Sequence, residues 1–265
     1  MRGYARNPRE HGEGTTMLSI DIVVKTFPGD YPWLPYLWRS IAKYVTGYRD
    51  LIVIIEEQYE APPMPDGAKL VRCRRYEGTD CPPDRGVPIE RLGAWRHSNA
   101  DVLAFVDSDC VACRPLDLQT DPTINVERPI VLFTDWETSG PCQKWREPAR
   151  AALGFDPSWL AMCRYPFVFP ARIVLECWAW CGGEERLRNI PCTDWEVLGN
   201  YALAKWPEAV TALHVSRVGP KCVHQFWNKG GAFHPLTQEE ITAHKMGGGV
   251  QNPGVQAEMR RLGLC

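Results

Sequence analysis

Val102–Asp109 reads VLAFVDSD: five apolar residues run without a break and end in two aspartates one residue apart. An apolar run of this length suits a strand buried on both faces. At an extended strand end, residues i and i+2 project the same way, so Asp107 and Asp109 present both carboxylates to one ligand. Two hard oxygen donors so placed suit Mg²⁺ or Mn²⁺, with coordination positions left over for phosphate oxygens. The same pair also suits a plain solvated strand exit, and only the surrounding sequence separates the two readings.

Upstream, Val87–Asn99 carries a helical pattern that leads into this strand. Before it, Lys69–Cys73 reads as a short strand and Leu51–Ile55 (LIVII) as a buried one halted by Glu56 and Glu57. The loop APPMPDG lies between them. Leu34, Leu37, Trp38 and Ile41 fall at helical spacing and predict a helix over Leu34–Tyr44, with Pro32 and Pro35 tolerated only at its start. Leu18–Phe27 (LSIDIVVKTF) is the opening strand. Strands alternating with helices predict parallel pairing and an α/β sheet with helices on both faces. Ligands of such sheets bind beyond the carboxyl ends of the strands. Lys25–Phe27, Glu56–Glu57 and Asp107–Asp109 all fall at such ends.

Downstream the pattern loosens. Pro129–Thr134 (PIVLFT) predicts a strand, Asp135–Pro148 a long polar loop bearing tryptophans, and Arg164–Pro170 a strand closed by prolines. Helices are expected over Ala171–Trp180 and Asp194–Trp206, and a late strand over Ala212–Val218. Met246–Pro253 is too glycine-rich for regular structure. With no internal repeat, one domain over residues 17–265 is expected after a loose polar tail, 1–16, in which Met17 offers an alternative start.

The chain has 265 residues, 45% of them hydrophobic and 23% charged, enough to bury one large core. A formal charge of −2 argues against non-specific coating of nucleic acid. The clusters Arg72, Arg74, Arg75 and Lys144, Arg146, Arg150 leave a local basic groove open, though both equally suit solvated surface. No stretch approaches the roughly 18–20 apolar residues of a membrane span, and the N-terminus lacks the apolar core of a secretory signal. A cytoplasmic protein is therefore expected, with its eleven cysteines as reduced thiols that serve mostly as small core residues. Cys110 and Cys113 form a C-x-x-C without the matching second pair that a zinc site needs.

An α/β first half, FVDSD at a mid-chain strand end and a variable second half together resemble the GT-A glycosyltransferases. The likeness spans roughly residues 18–230 and is best in DIVVKTFPGDYPWL, RLGAWRHSNADVLAFVDSDC and TDWEVLGNYA. It implies a GT-A-like (Rossmann-like) central, mostly parallel sheet, with a nucleotide-binding half over about 17–134 and an acceptor-side half over about 135–265. The implied activity is transfer of a sugar from a nucleoside-diphosphate donor, a UDP-sugar first among them, to an acceptor hydroxyl. By this resemblance Asp107 and Asp109 would hold Mn²⁺ or Mg²⁺ against the donor phosphates, with Ser108 between them. Lys25, Thr26, Phe27 and Glu57 would line the nucleotide pocket, and Arg91 and Trp95, about one helical turn apart, would point towards the donor. His224 would supply a late metal ligand, with His214 and His234 as substitutes, and Gly230–Gly231 would let backbone approach a phosphate.

For an inverting reaction a carboxylate must deprotonate the acceptor hydroxyl, and TDWE offers Asp194 and Glu196. Thr193 and Glu196 also fit a capping box, and an acid in the first turn also suits the helix dipole. Trp136, Trp145 and Trp195 are candidates for an aromatic platform under a sugar or flat acceptor. A nucleotidyltransferase would carry a Gly-rich basic loop after its first strand, where this chain has KTFPGDYPW with one glycine and no basic pair. A phosphate-processing metal hydrolase would group its histidines, which here are scattered, and no P-loop motif is present. A member of the fold that only binds is the non-enzymatic alternative. The acceptor stays open between a glycan, a small molecule, a protein and a modified nucleic-acid base.

Overall fold

The computed structural model describes residues 17–74, 86–161, 166–217, 222–225, 249–251 and 253–265. The expected tail 1–16, Arg75, Gly230–Gly231, His234, Met246–Gly248 and Asn252 lie outside these residues, while Gly249–Gln251, expected to be irregular, forms a 3-10 turn and Pro253 opens a helix.

In chain order the elements are β1 (Ile20–Lys25), α1 (Leu34–Tyr44), β2 (Val45–Thr46), β3 (Asp50–Glu56), β4 (Lys69–Cys73) and α2 (Gly86–Leu92). Then come β5 (Val102–Asp107), β6 (Cys110–Ala112), β7 (Leu116–Asp117), β8 (Ile130–Phe133), α3 (Arg146–Leu153) and β9 (Phe167–Pro170). The remainder is α4 (Ala171–Trp180), α5 (Gly183–Leu187), α6 (Asp194–Lys205), β10 (Thr211–His214), β11 (Val223–Gln225) and α7 (Pro253–Arg261).

A five-stranded sheet of order β4-β3-β1-β5-β9 forms the centre. Its first four strands run parallel and β9 runs antiparallel to β5, so the molecule is α/β with a mostly parallel mixed sheet flanked by helices. All six residues of β1, Asp21 and Lys25 included, are buried, as a strand covered on both faces requires. Ile22, Ala104 and Val106 line one small apolar cavity with Leu37 and Ile41 of α1, so they mark the α1 face of the sheet. Phe105 points the other way and meets Trp195 of α6 edge-on, with ring centres 5.7 Å apart. Strand alternation then sends Asp107, two residues beyond Phe105, to the face where α2 and α6 pack. One hydrophobic cluster runs from Ile20 through Phe105 to Trp195 and Val210, spanning both halves of the chain.

The opposite end of β1 is closed by charge. Asp21 is buried, and Arg49 grips it through two hydrogen bonds of 3.0 and 2.7 Å while the Ser98 hydroxyl donates to it as well. A second cluster seats α7: Val255, Met259 and Leu262 pack with Trp33 and Val111, and Lys43 and Tyr44 of α1 donate to the Leu262 carbonyl at 2.7 and 2.9 Å.

The long loop expected over Asp135–Pro148 is not a loop. Trp136–Trp145 winds as 3-10 turns and α3 begins at Arg146. The anchor is apolar: Trp136 is buried with Cys142 and Leu160, and its indole N–H donates to the Pro157 carbonyl at 2.9 Å. Beside it, Arg146 and Arg150 both spend their charge on Asp156, which accounts for that basic cluster as surface pairing. Of the nine described cysteines seven are buried, Cys110 among them. Among the described residues no helix is long and apolar enough to cross a membrane.

Candidate functional site

Because the strands are parallel, Lys25, Glu56 and Asp107 end on the same edge of the sheet, and Lys25 lies directly beside Asp107 in the ladder. Just past that edge the chain turns at Ser108–Asp109 and returns as β6. The turn is pinned from two sides. Ser108, itself buried, donates its hydroxyl to Asp30 at 2.5 Å, which ties the turn to the segment that follows β1. β11 pairs antiparallel with β6, opposing Gln225 to Cys110, and the Gln225 amide nitrogen donates to Asp107 Oδ2 at 2.9 Å and to Asp109 Oδ1 at 3.3 Å. Both carboxylates therefore converge on one point, as the i, i+2 spacing implies.

Arg91 of α2 closes the cluster on its inner side. The guanidinium is buried, ion-paired with Asp107 through Nη2 and 3.4 Å from Asp194 Oδ2 through Nη1. Its Nε has no hydrogen-bond partner among the described residues. Burial raises the Asp194 carboxyl above its ordinary range, against the pull of Arg91. Burial and the neighbouring Asp30 push the Asp109 carboxyl up to about 7, with the Gln225 amide working in the other direction. Asp107 and Asp194 thus share one guanidinium, with Asp109 beside Asp107 and Asp30 near Asp109, so carboxylates outnumber the cation.

That excess, and two carboxylates aimed at one point, suit a hard divalent cation. The Gln225 amide presents its nitrogen to that point, and its oxygen has no hydrogen-bond partner among the described residues; turned over, the amide would add a third oxygen donor. Among the described residues no group of three or more His, Cys, Asp and Glu stands at metal-ligand spacing. A cation at this point would have two carboxylates from the described residues, an arrangement compatible with Mg²⁺ or Mn²⁺ when phosphate and water fill the remaining positions.

The other expected residues fall in different places. Lys25 is buried with its ammonium 3.7 Å from Glu56 and 3.4 Å from the Thr26 carbonyl. Thr26 is buried beside it, and its hydroxyl has no hydrogen-bond partner among the described residues. Phe27 is exposed, and Glu57 is exposed with its N–H donating to the Cys73 carbonyl at 2.8 Å. Trp95 packs against the main core, half-buried. Glu196 is fully buried and accepts the Ala161 N–H at 2.8 Å, while its own N–H donates to the Thr193 hydroxyl at 3.4 Å, the cap expected for α6. Its carboxylate thus anchors residue 161, whereas Asp194 faces the cluster through Arg91. His224 pairs through its backbone with Val111, and its side chain is outside the described residues. His214 stands at the end of β10 with Thr134 and Ser216.

Two of the three tryptophans proposed as a platform are buried in packing. Trp136 anchors the 3-10 segment, and Trp195 lies between Arg91 and Phe167, stacked on the latter at 4.3 Å. Trp145 is half-buried with Lys144 over its ring. Sequence reasoning missed Asp30 and Gln225. Asp30 lies in KTFPGDYPW, a stretch read for its single glycine and its lack of a basic pair rather than for its carboxylate. No protein-family model matches the chain, and no curated protein matches it.

Proposed function

We propose that the chain is a divalent-metal-dependent glycosyltransferase of the GT-A kind, using a nucleoside-diphosphate sugar and an acceptor hydroxyl. The observation that carries this reading is the convergence of Asp107 and Asp109 on the Gln225 amide at the carboxyl edge of a mostly parallel sheet. Ligands bind such sheets at this edge, and the oxygen set there suits Mn²⁺ or Mg²⁺. When bound, the ion would neutralise the charge that develops on a nucleoside-diphosphate leaving group.

In this reading Asp107 and Asp109 hold the ion, and Ser108, fixed by Asp30, sets the turn that aims them. Thr26 offers its buried hydroxyl to the nucleotide beside the Lys25–Glu56 pair. Arg91 balances Asp107 before the ion arrives and stays at hand for a phosphate. Asp194, buried against Arg91, acts through that guanidinium as a positioning residue, and Glu196 keeps α6 docked on residue 161.

The test is isothermal titration calorimetry with UDP, with and without Mn²⁺, on the wild type and on Asp109→Ala. Metal-dependent binding that the substitution removes is expected. Absence of binding to UDP, GDP, CMP and TDP in the presence of Mn²⁺ would overturn the reading.

A further inference from the structure

β8 and β10 form a small parallel sheet of their own, so Phe133, Thr134, Asp135 and His214 gather beyond its carboxyl end. A fifth residue joins them. Trp159 is 36% exposed, and its ring lies 4.6 Å from that of Phe133. His214 meets Phe133 edge-on at 5.5 Å.

The backbone that carries this indole is pinned. The buried side-chain amide of Asn200 accepts the Trp159 backbone N–H at 3.2 Å and donates to the Trp159 backbone carbonyl at 2.8 Å. The next residue, Leu160, exchanges two backbone hydrogen bonds of 3.0 Å with Thr134, tying the segment to the end of β8.

The polar rim has a defined sense. The Ser216 N–H donates to His214 Nδ1 at 3.3 Å, and the Ser216 hydroxyl lies 2.7 Å from the same nitrogen. Nδ1 is thus the acceptor and the neutral ring carries its proton on Nε2. That N–H points towards the Thr134 hydroxyl at 3.5 Å and Asp135 Oδ2 at 4.0 Å. One apolar face therefore stands beside a carboxylate acceptor and an imidazole donor.

We propose that this shelf binds a pyranose ring, with its C–H face on Trp159 and its hydroxyls on Asp135 and His214. A sugar alone among common small ligands presents an apolar ring face and a rim of hydroxyls that both donate and accept. A nucleotide would bring phosphate against the Asp135 carboxylate, and a protein partner needs an apolar patch of several hundred Å² rather than one ring. The proposal does not rest on the transferase reading, because the shelf shares no residue with the aspartate cluster.

The test uses saturation-transfer NMR with the methyl pyranosides of glucose, galactose, mannose and N-acetylglucosamine, without nucleotide or divalent ion. Saturable transfer to the ring protons of at least one is expected, weakened about tenfold or more by Trp159→Ala. Asp135→Asn should weaken it several-fold while Trp159→Phe retains it, and this second pair decides the matter if Trp159→Ala fails to fold. No saturable transfer from any of the four, or equal transfer in wild type and Trp159→Ala, overturns the proposal. So does binding of uridine in place of every glycoside, which would make the shelf a base platform.

Discussion

The guanidinium carbon of Arg91 lies 4.6 Å from the centre of the Trp195 ring, and that ring is stacked in turn on Phe167. A helix, a second helix and a strand thus hold one cation in place between Asp107 and Asp194. Arg91→Leu leaves buried Asp194 and part-buried Asp107 without their counter-charge, which costs about 3–5 kcal/mol. The melting temperature should fall by roughly 10 °C. Adding Asp194→Asn to Arg91→Leu should return part of the loss. An Arg91→Leu protein that melts with the wild type would show that the cation is not needed to seat the two acids.

Gln225 places a neutral amide donor between two carboxylates. Gln225→Glu adds a carboxylate oxygen at the point where Asp107 and Asp109 already converge, and ligand charge is a main lever on affinity for hard cations. Titration with Mn²⁺, followed by calorimetry, should show binding tightened by about tenfold, or ~1.4 kcal/mol. Weaker or unchanged Mn²⁺ binding would place the ion elsewhere.

Gly199 in α6 faces Ala161 so closely that a new Cβ would collide with the Ala161 methyl, with Val131 also in contact at 3.5 Å. Helix propensity alone favours Gly→Ala by about 1 kcal/mol, while overpacking costs ~1–3 kcal/mol. Packing should win. Urea unfolding of Gly199→Ala is expected to show a net loss, and a net gain would mean that the contact with residue 161 is soft.

Burial pushes the Cys73 and Cys142 thiols up to about 12 from their ordinary value of 9.0. At pH 8 iodoacetamide should therefore label exposed Cys265 first and reach these two only after unfolding, as mass spectrometry would reveal. The pH dependence has a definite sign. Above about pH 9 the unfolded chain loses thiol protons that the folded chain keeps, so stability falls as pH rises towards 12. A flat stability profile from pH 8 to 11 would contradict the burial of these thiols.

Periodicity made the first half legible. Leu34–Tyr44 and Ala171–Trp180 form helices with the expected bounds, and Lys69–Cys73 a strand with the expected bounds, because each carries a clear apolar pattern with a turn or proline beside it. The aspartates were legible for the same reason, since a buried run must stop where its first charge stands. Asp135–Pro148 was not, because 3-10 turns held by one buried indole leave no helical period to read. Gln225 gave no signal at all. It is an uncharged residue in a three-residue strand, and only the register with Cys110 carries it to aspartates more than a hundred residues earlier. Among tryptophans, exposure rather than sequence context separates Trp159 from Trp136 and Trp195, and exposure depends on the assembled core.

The five-strand order leaves two outermost strands, and each is ill suited to recruit another molecule. β4 lines the border of the described sheet with Lys69, tied to Asp50, and Arg72, tied to the Glu57 and Tyr59 carbonyls, long side chains of the kind that blunt a strand edge. β9 is four residues long and ends in Pro170, which has no N–H to offer a newcomer. Among the described residues both borders of the sheet are thus poor templates for edge-to-edge stacking, one because it is crowded with charged side chains and the other because it is short and proline-ended.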